Sequence, residues 1–236
     1  MRLLIDGDPI VYRIGFASQK KNKETGLVTA DPVSFAKHSC KLYMDRIIED
    51  TECDEYTVFL TGKDNFRFKV RKDYKANRAG TDKPVHYQVI RDYLVSRYSA
   101  TIIEGMEADD ALALSQTEDT AIATIDKDLL MVQGKHYNYV KEEWREVTEE
   151  WGHRFFHHQM LTGDKVDNII GLKGIGPKKA DKLLDDTPIE DWEEMIVDLY
   201  NDQLGYGEGF QRAVENSQLL WMLQRDKQMP LGFNYD

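Results

Sequence analysis

Carboxylates recur at the ends of short apolar runs through the first 170 residues. Asp6 and Asp8 follow Leu3-Leu4-Ile5; Glu104, Glu107, Asp109 and Asp110 follow Ala100–Ile103; Asp126 and Asp128 close the run from Ala121; Asp164 and Asp167 come later. Glu107 and Asp110 are three residues apart, as are Asp164 and Asp167, so a helical start brings each pair to one face. Asp126 and Asp128 are two apart, which aligns them on extended backbone. Acids that converge raise one another's pKa, and hard divalent cations relieve the repulsion: Mg²⁺ first, with Mn²⁺ as a substitute. Singly, each cluster has a plainer explanation. Asp8 reads as structural or a cap, and Glu107-Ala-Asp-Asp110 as acids favouring a helix N-terminus. The four clusters together favour a metal site.

A second group has the opposite sign. Residues 63–83 carry Lys63, Arg67, Lys69, Arg71, Lys72, Lys75, Arg78 and Lys83 against Asp64, Asp73 and Asp82, a local net of +5. Phe66, Phe68 and Tyr74 interleave with these cations, which suits phosphate binding with base stacking. The alternative is a solvated amphipathic helix. Further on, Gly171-Leu-Lys-Gly174-Ile-Gly176-Pro177 forms a glycine-bearing turn, but no strand precedes it and no Gly-Lys-Ser/Thr follows, so it is not a P-loop. His153 and His157 share i,i+4 spacing without an evident third ligand. Trp144, Trp151, Trp192 and Trp221 read as packing residues.

The elements that must position these groups alternate short apolar runs with longer helical patterns, the mark of an α/β fold with a mainly parallel central sheet flanked by helices. Strands are expected at Leu3–Ile5, Thr57–Leu60, Ala100–Ile103 and Ala121–Ile125. Helices are expected from Pro32 to about Glu49, from Pro84 to Tyr98 and across 105–116. Beyond about residue 155 the strand signals stop and a helical subdomain follows. Its stretch from Thr187 to Gly209 holds seven acids and no base, a poor match for a phosphate backbone.

The 236 residues carry 31 basic and 42 acidic side chains, a net charge of −11, with 41% hydrophobic residues. A core is affordable, and a bulk-basic coat for nucleic acid or membrane surface is excluded; a local basic patch is not. Cys40 and Cys53 lack zinc spacing and read as reduced thiols. The apolar start stops at Asp6, and no run approaches a membrane span, so a cytoplasmic protein is expected.

These pieces, in order, resemble the flap endonuclease/5′→3′ exonuclease superfamily, most of all its short bacteriophage members. The matching segments are Leu-Ile-Asp6-Gly, Arg67, Tyr74-Lys75-Ala-Asn-Arg78, Glu107-Ala-Asp109-Asp110, Asp126-Lys-Asp128, Gly163-Asp164-Lys-Val-Asp167-Asn168 and Gly171–Ala180. The resemblance implies a PIN-like nuclease core over 1–155, a helical arch over 62–83, and a helical DNA-binding subdomain over 156–236 with a helix-hairpin-helix at 163–183. It implies one metal ion on Asp6, Glu107, Asp109 and Asp110, and a second completed by Asp126, Asp128, Asp164 and Asp167. Lys75 and Arg78 would act on the scissile phosphate. Tyr12, Arg67, Arg71, Lys72 and Tyr74 would meet DNA, as would Gly174, Gly176, Lys178, Lys179 and Lys182, with K⁺ at the hairpin. The implied activity is hydrolysis of phosphodiesters at DNA 5′ ends or flaps by a monomer in the cytoplasm, that of the host if the chain is phage-encoded; RNA-primed strands are a candidate partner. A non-catalytic binder of branched or end-containing DNA and a small ribonuclease are the rival readings. One departure stands out: the family's acid after the second strand is absent from Leu60-Thr61-Gly62-Lys63-Asp64, where either Asp64 substitutes or no acid does.

Overall fold

The computed structural model describes residues 1–78, 80–225 and 230–232. Its contacts gather into two compact units: unit 1 is Met1–Lys63, Gly80–Lys127 and Gly134–Glu146, and unit 2 is Asp64–Ala79, Asp128–Gln133 and Val147–Asp236. This differs from a single cut after residue 155. The basic segment groups with the C-terminal helices, and its Asn65, Phe66, Arg67 and Tyr74 are buried. Residues 226–229 and 233–236 of the expected C-terminal subdomain lie outside the described residues.

In chain order the first half contains β1 (Arg2–Asp6), α1 (Asp8–Ala17), β2 (Gln19–Lys21), β3 (Val28–Ala30), α2 (Val33–Thr51), β4 (Glu55–Thr61), α3 (Arg67–Val70), α4 (Tyr87–Tyr98) and β5 (Thr101–Ile103). There follow α5 (Ala108–Ser115), β6 (Thr120–Ala123), β7 (Gly134–Asn138), β8 (Glu143–Val147), α6 (Glu149–Thr162), β9 (Gly163–Asp164), β10 (Ile169–Ile170), α7 (Pro177–Asp186), α8 (Trp192–Leu204) and α9 (Glu208–Leu220).

Unit 1 is built on a sheet of order β5-β4-β1-β6-β7-β8. The pairs β1–β4, β1–β6, β4–β5 and β6–β7 are parallel. The four residues between β7 and β8 are too few for a crossover, so those strands form a hairpin. β1 is central and buried on both faces, which is why it reads as an unbroken apolar run. Leu3, Ile5, Ile10, Met44, Val58, Leu60, Ile90 and Leu94 share one core. All four expected strands are present. The β2–β3 and β7–β8 hairpins were not anticipated. Both cysteines are free thiols, and burial pushes Cys40 up to about 12.

Unit 2 packs α6, α8 and α9 through Phe156, Met160, Ile196, Tyr200, Leu219 and Trp221. The Tyr200 hydroxyl donates to the Met160 carbonyl at 2.8 Å and accepts from Asn216 Nδ2 at 2.8 Å. The short β9–β10 ribbon needs glycine at both ends. A Cβ on Gly163, whose φ is +70°, would lie 2.3 Å from the Gly171 amide nitrogen, and one on Gly171 would lie 2.3 Å from that of Gly163. Of the four tryptophans, Trp192 and Trp221 are buried as expected, while Trp144 and Trp151 are exposed. No helix among the described residues is long and apolar enough to cross a membrane.

Candidate active site

In unit 1 the parallel strands point their carboxyl ends to one edge, where sites form in open α/β sheets. Asp6 ends β1 and pairs in register with Phe59 of β4. Its carboxylate is buried, accepts from the Thr124 hydroxyl at 2.8 Å, and sits above the usual carboxylate range. Burial is the main cause, the charges of Asp8 and Asp126 add to it, and the Thr124 hydrogen bond opposes it. Tyr139, buried nearby, is pushed up by burial and then by the charges of Asp6, Asp109 and Asp126. The acids following β1 and β6 and those on α5 therefore share one electrostatic neighbourhood.

Glu107 and Asp110 open α5 as a capping box. The Glu107 side chain accepts from the Asp110 backbone, and the Asp110 carboxylate accepts from the Glu107 backbone N–H at 3.2 Å. Both carboxylates are buried, and the box fixes their orientation. Of the two plain roles expected for Asp8, structural or a cap, the cap is absent, since α1 has no side-chain cap. The Asp8 carboxylate instead accepts from the Thr61 N–H at 2.9 Å and from Arg91 at 3.0 Å. Burial raises Asp8 and the Glu107 charge adds to this, against the hydrogen bonds to Thr61 and the Arg91 charge. Thr61 is where the resemblance implies an acid, so a carboxylate from α1 reaches that strand end. Asp64 belongs to unit 2, exposed at φ +60°.

Arg91, Thr61 and Thr124 were missed by the sequence reading. Arg91 left a signal: a cation between Ile90 and Leu94 on the inward stripe of α4 requires a buried partner. Among the described residues, no three His, Cys, Asp or Glu side chains are grouped closely enough to hold an ion. The donor chemistry nonetheless fits one, because oxygen-only carboxylates that raise one another's pKa are the ligands a hard divalent cation favours.

Tyr12 is exposed on α1, 5.3 Å from the Tyr87 ring and 6.2 Å from Phe16, with the Lys83 ammonium 4.3 Å from Tyr87. This is an aromatic surface with a cation beside it.

Unit 2 holds Asp128, Asp164 and Asp167. Asp128 accepts from Gln159 at 2.7 Å, and Asp164 from the Val166 N–H at 2.7 Å. Asp167 takes the Tyr74 hydroxyl at 3.1 Å, the Lys75 ammonium at 3.5 Å and the Arg78 guanidinium. The Lys75 N–H also donates to the Asp167 carbonyl at 3.0 Å. Two of the expected DNA contacts are corrected here. Arg67 is 0% exposed and gives its guanidinium to the carbonyls of Leu219 and Trp221 at the end of α9. Tyr74 is 2% exposed and committed to Asp167. Arg71 is mostly turned inward, to Asp73, Asn168 and Asn216, whereas Lys72 is exposed. Among its described residues, the segment expected as a helical arch contains α3 and a 3₁₀ turn at Ala76–Arg78.

The glycine turn before α7 separates its apolar and polar residues. Leu172 and Ile175 point inward, while Gly174, Gly176, Lys178, Lys179 and Lys182 are exposed. A Cβ at Gly174 or Gly176 would meet nothing within 4 Å, leaving the backbone open beside the N-terminus of α7.

Residues 1–160 match the family described as 5′-3′ exonuclease, N-terminal resolvase-like domain. DNA polymerase I of Thermus thermophilus is 32% identical over 202 residues, 77% of this chain and 23% of the polymerase, so the chain spans about a quarter of the length of that curated relative. Among solved structures, the T5 5′-exonuclease with bound zinc superposes at a TM-score of 0.61 with 18% identity, covering 93% of this chain and 86% of that one. The bacteriophage T5 D15 flap endonuclease, solved as a pseudo-enzyme-product complex with DNA and metal ions, gives 0.57 with 16% identity, covering 93% and 99%. With the parallel sheet and its edge of acids, the match over residues 1–160 places this chain in the 5′-3′ exonuclease family, through its N-terminal resolvase-like domain.

Proposed function

We propose that the chain is a divalent-metal-dependent 5′ nuclease that hydrolyses phosphodiesters at DNA 5′ ends or flaps, RNA-primed strands included, as a cytoplasmic monomer. The observation that carries this reading is the buried Asp6 carboxylate, raised by its own burial and by the charges of Asp8 and Asp126 at the carboxyl edge of a parallel sheet. A purely structural edge gains nothing from that repulsion. Asp6, Glu107, Asp109, Asp110 and Asp126 would hold Mg²⁺, with Mn²⁺ able to substitute, and a role in holding a second ion is proposed for Asp128, Asp164 and Asp167. Such ions supply polarisation of the scissile phosphate and a lowered pKa for the attacking water.

The chain's own residues do the rest. The capping box keeps Glu107 and Asp110 turned to the N-terminus of α5. Lys75 and Arg78, held on Asp167 in this structure, would exchange that carboxylate for a phosphate and steady its developing charge. The open amides of Gly174 and Gly176, with Lys178, Lys179 and Lys182, would grip the uncleaved duplex, with K⁺ at the hairpin, and Tyr12 would stack on a terminal base. A 5′-end-labelled duplex incubated with Mg²⁺ tests this: short products released from the 5′ end, lost on adding EDTA, are expected. Stable binding with no product in Mg²⁺ or Mn²⁺ would leave the non-catalytic binder standing.

A further inference from the structure

We propose that the Asp8–Arg91 ion pair, acting through Thr61, positions the acids of α5 for metal binding; the inference rests on the reading of those acids as a metal site. Asp8 opens α1, but its carboxylate serves another strand. One oxygen accepts from the Thr61 N–H at 2.9 Å and the other from Arg91 Nη1 at 3.0 Å. Arg91 Nη2 then donates to the Thr61 carbonyl at 2.7 Å, so a single ion pair takes both backbone polar groups of the last residue of β4. The Thr61 side chain extends the chain of bonds. Its hydroxyl accepts from the N–H of Ala108, the first residue of α5, at 2.9 Å. That helix start lies between Glu107 and Asp110, whose capping box is the next link.

Arg91, Asp8, Thr61 and Ala108 thus form a continuous polar path from α4 and α1, across the end of β4, to the turn that presents two of the acids. Arg91 is 7% exposed, and a guanidinium that buried persists only where its donors are met. Its planar fork spans a carboxylate and a carbonyl at once, which a lysine ammonium cannot do with the same fixed geometry. Charge alone would not require Thr61. The hydroxyl is the step that reaches α5, and groups that orient metal ligands from behind govern affinity without touching the ion.

The test is Mn²⁺ binding by the DNA-free full chain, followed by electron paramagnetic resonance, with circular dichroism to confirm the fold. Thr61→Val keeps the shape and removes the acceptor, and should weaken Mn²⁺ binding by about 10-fold or more. Thr61→Ser restores the hydroxyl and should recover most of that loss. Arg91→Gln should weaken binding comparably; if it does not fold, the Val and Ser pair decides. Wild-type Mn²⁺ affinity in folded Thr61→Val would overturn the positioning role alone. No Mn²⁺ binding by the wild type would overturn the metal reading and this inference with it.

Discussion

The two units handle charge in opposite ways. Unit 1 gathers Asp6, Asp8, Asp126 and the α5 acids, with Arg91 paired to Asp8, and Asp6 is raised first by burial and then by the charges of Asp8 and Asp126. Unit 2 pairs internally: Asp167 with Lys75 and Arg78, Arg71 with Asp73, and Arg67 with the carbonyls ending α9. Like charge gathered at one strand edge is the setting an outside cation would relieve. Satisfied charge marks architecture, and segment 64–78 is as much architecture as binding surface.

The sharpest way to break this contrast is at Arg67. Replacing it with Met keeps much of the volume but strands two carbonyls, and should cost about 3 kcal/mol of stability, read from urea midpoints. Near-wild-type stability would mean that the segment is held by other contacts.

A pH series probes both units. Burial pushes His157 in unit 2 down to about 4. Below its ordinary value near 6.5 the unfolded chain takes a proton that the folded one refuses. Stability is therefore whole above pH 6.5, falls as pH drops toward 4, and levels off below, with up to about 3 kcal/mol at stake. His157→Gln should flatten that limb. Asp6 in unit 1 runs the other way: its raised pKa lets the unfolded chain ionise first, so its cost appears as pH rises above 3.8 toward the folded value. At pH 8 in EDTA, Asp6→Asn should accordingly stabilise the protein by about 1 kcal/mol. Mg²⁺ should shrink that gain, because it relieves the same repulsion in the wild type; a gain unchanged by Mg²⁺ would remove Asp6 from the metal site.

The smallest effect belongs to the exposed cations of unit 2. Lys178→Ala with Lys179→Ala should leave stability unchanged and reduce the slope of log affinity for duplex against log salt by ~0.9 per lost phosphate contact. An unchanged slope would show that the turn before α7 does not hold the backbone.

How much was legible in the sequence follows from range. β1, β4, β5 and β6 were visible because buried parallel strands are continuous apolar runs, and their terminal acids came with them. The β2–β3 hairpin was hidden because Gln19-Lys-Lys21 carries no apolar alternation. In β8, Glu143-Trp-Arg-Glu-Val147 lies largely exposed, so burial leaves little mark on its composition. Arg67 looked like a surface cation because its partners lie more than 150 positions away. Asp8 left a structural role and a cap equally open for the same reason, since Arg91 is 83 positions distant.

The proposed role of the acids in unit 1 is catalytic. It is tested most directly by single-turnover cleavage of a 5′-labelled flap in Mg²⁺, wild type against Asp110→Asn, paired with binding of the same DNA in EDTA. Neutralising Asp110 removes a proposed ligand and also one repulsion with the phosphates. Cleavage slowed by a factor of ~10³ or more, with affinity equal or tighter, is expected. Full cleavage by Asp110→Asn would contradict it.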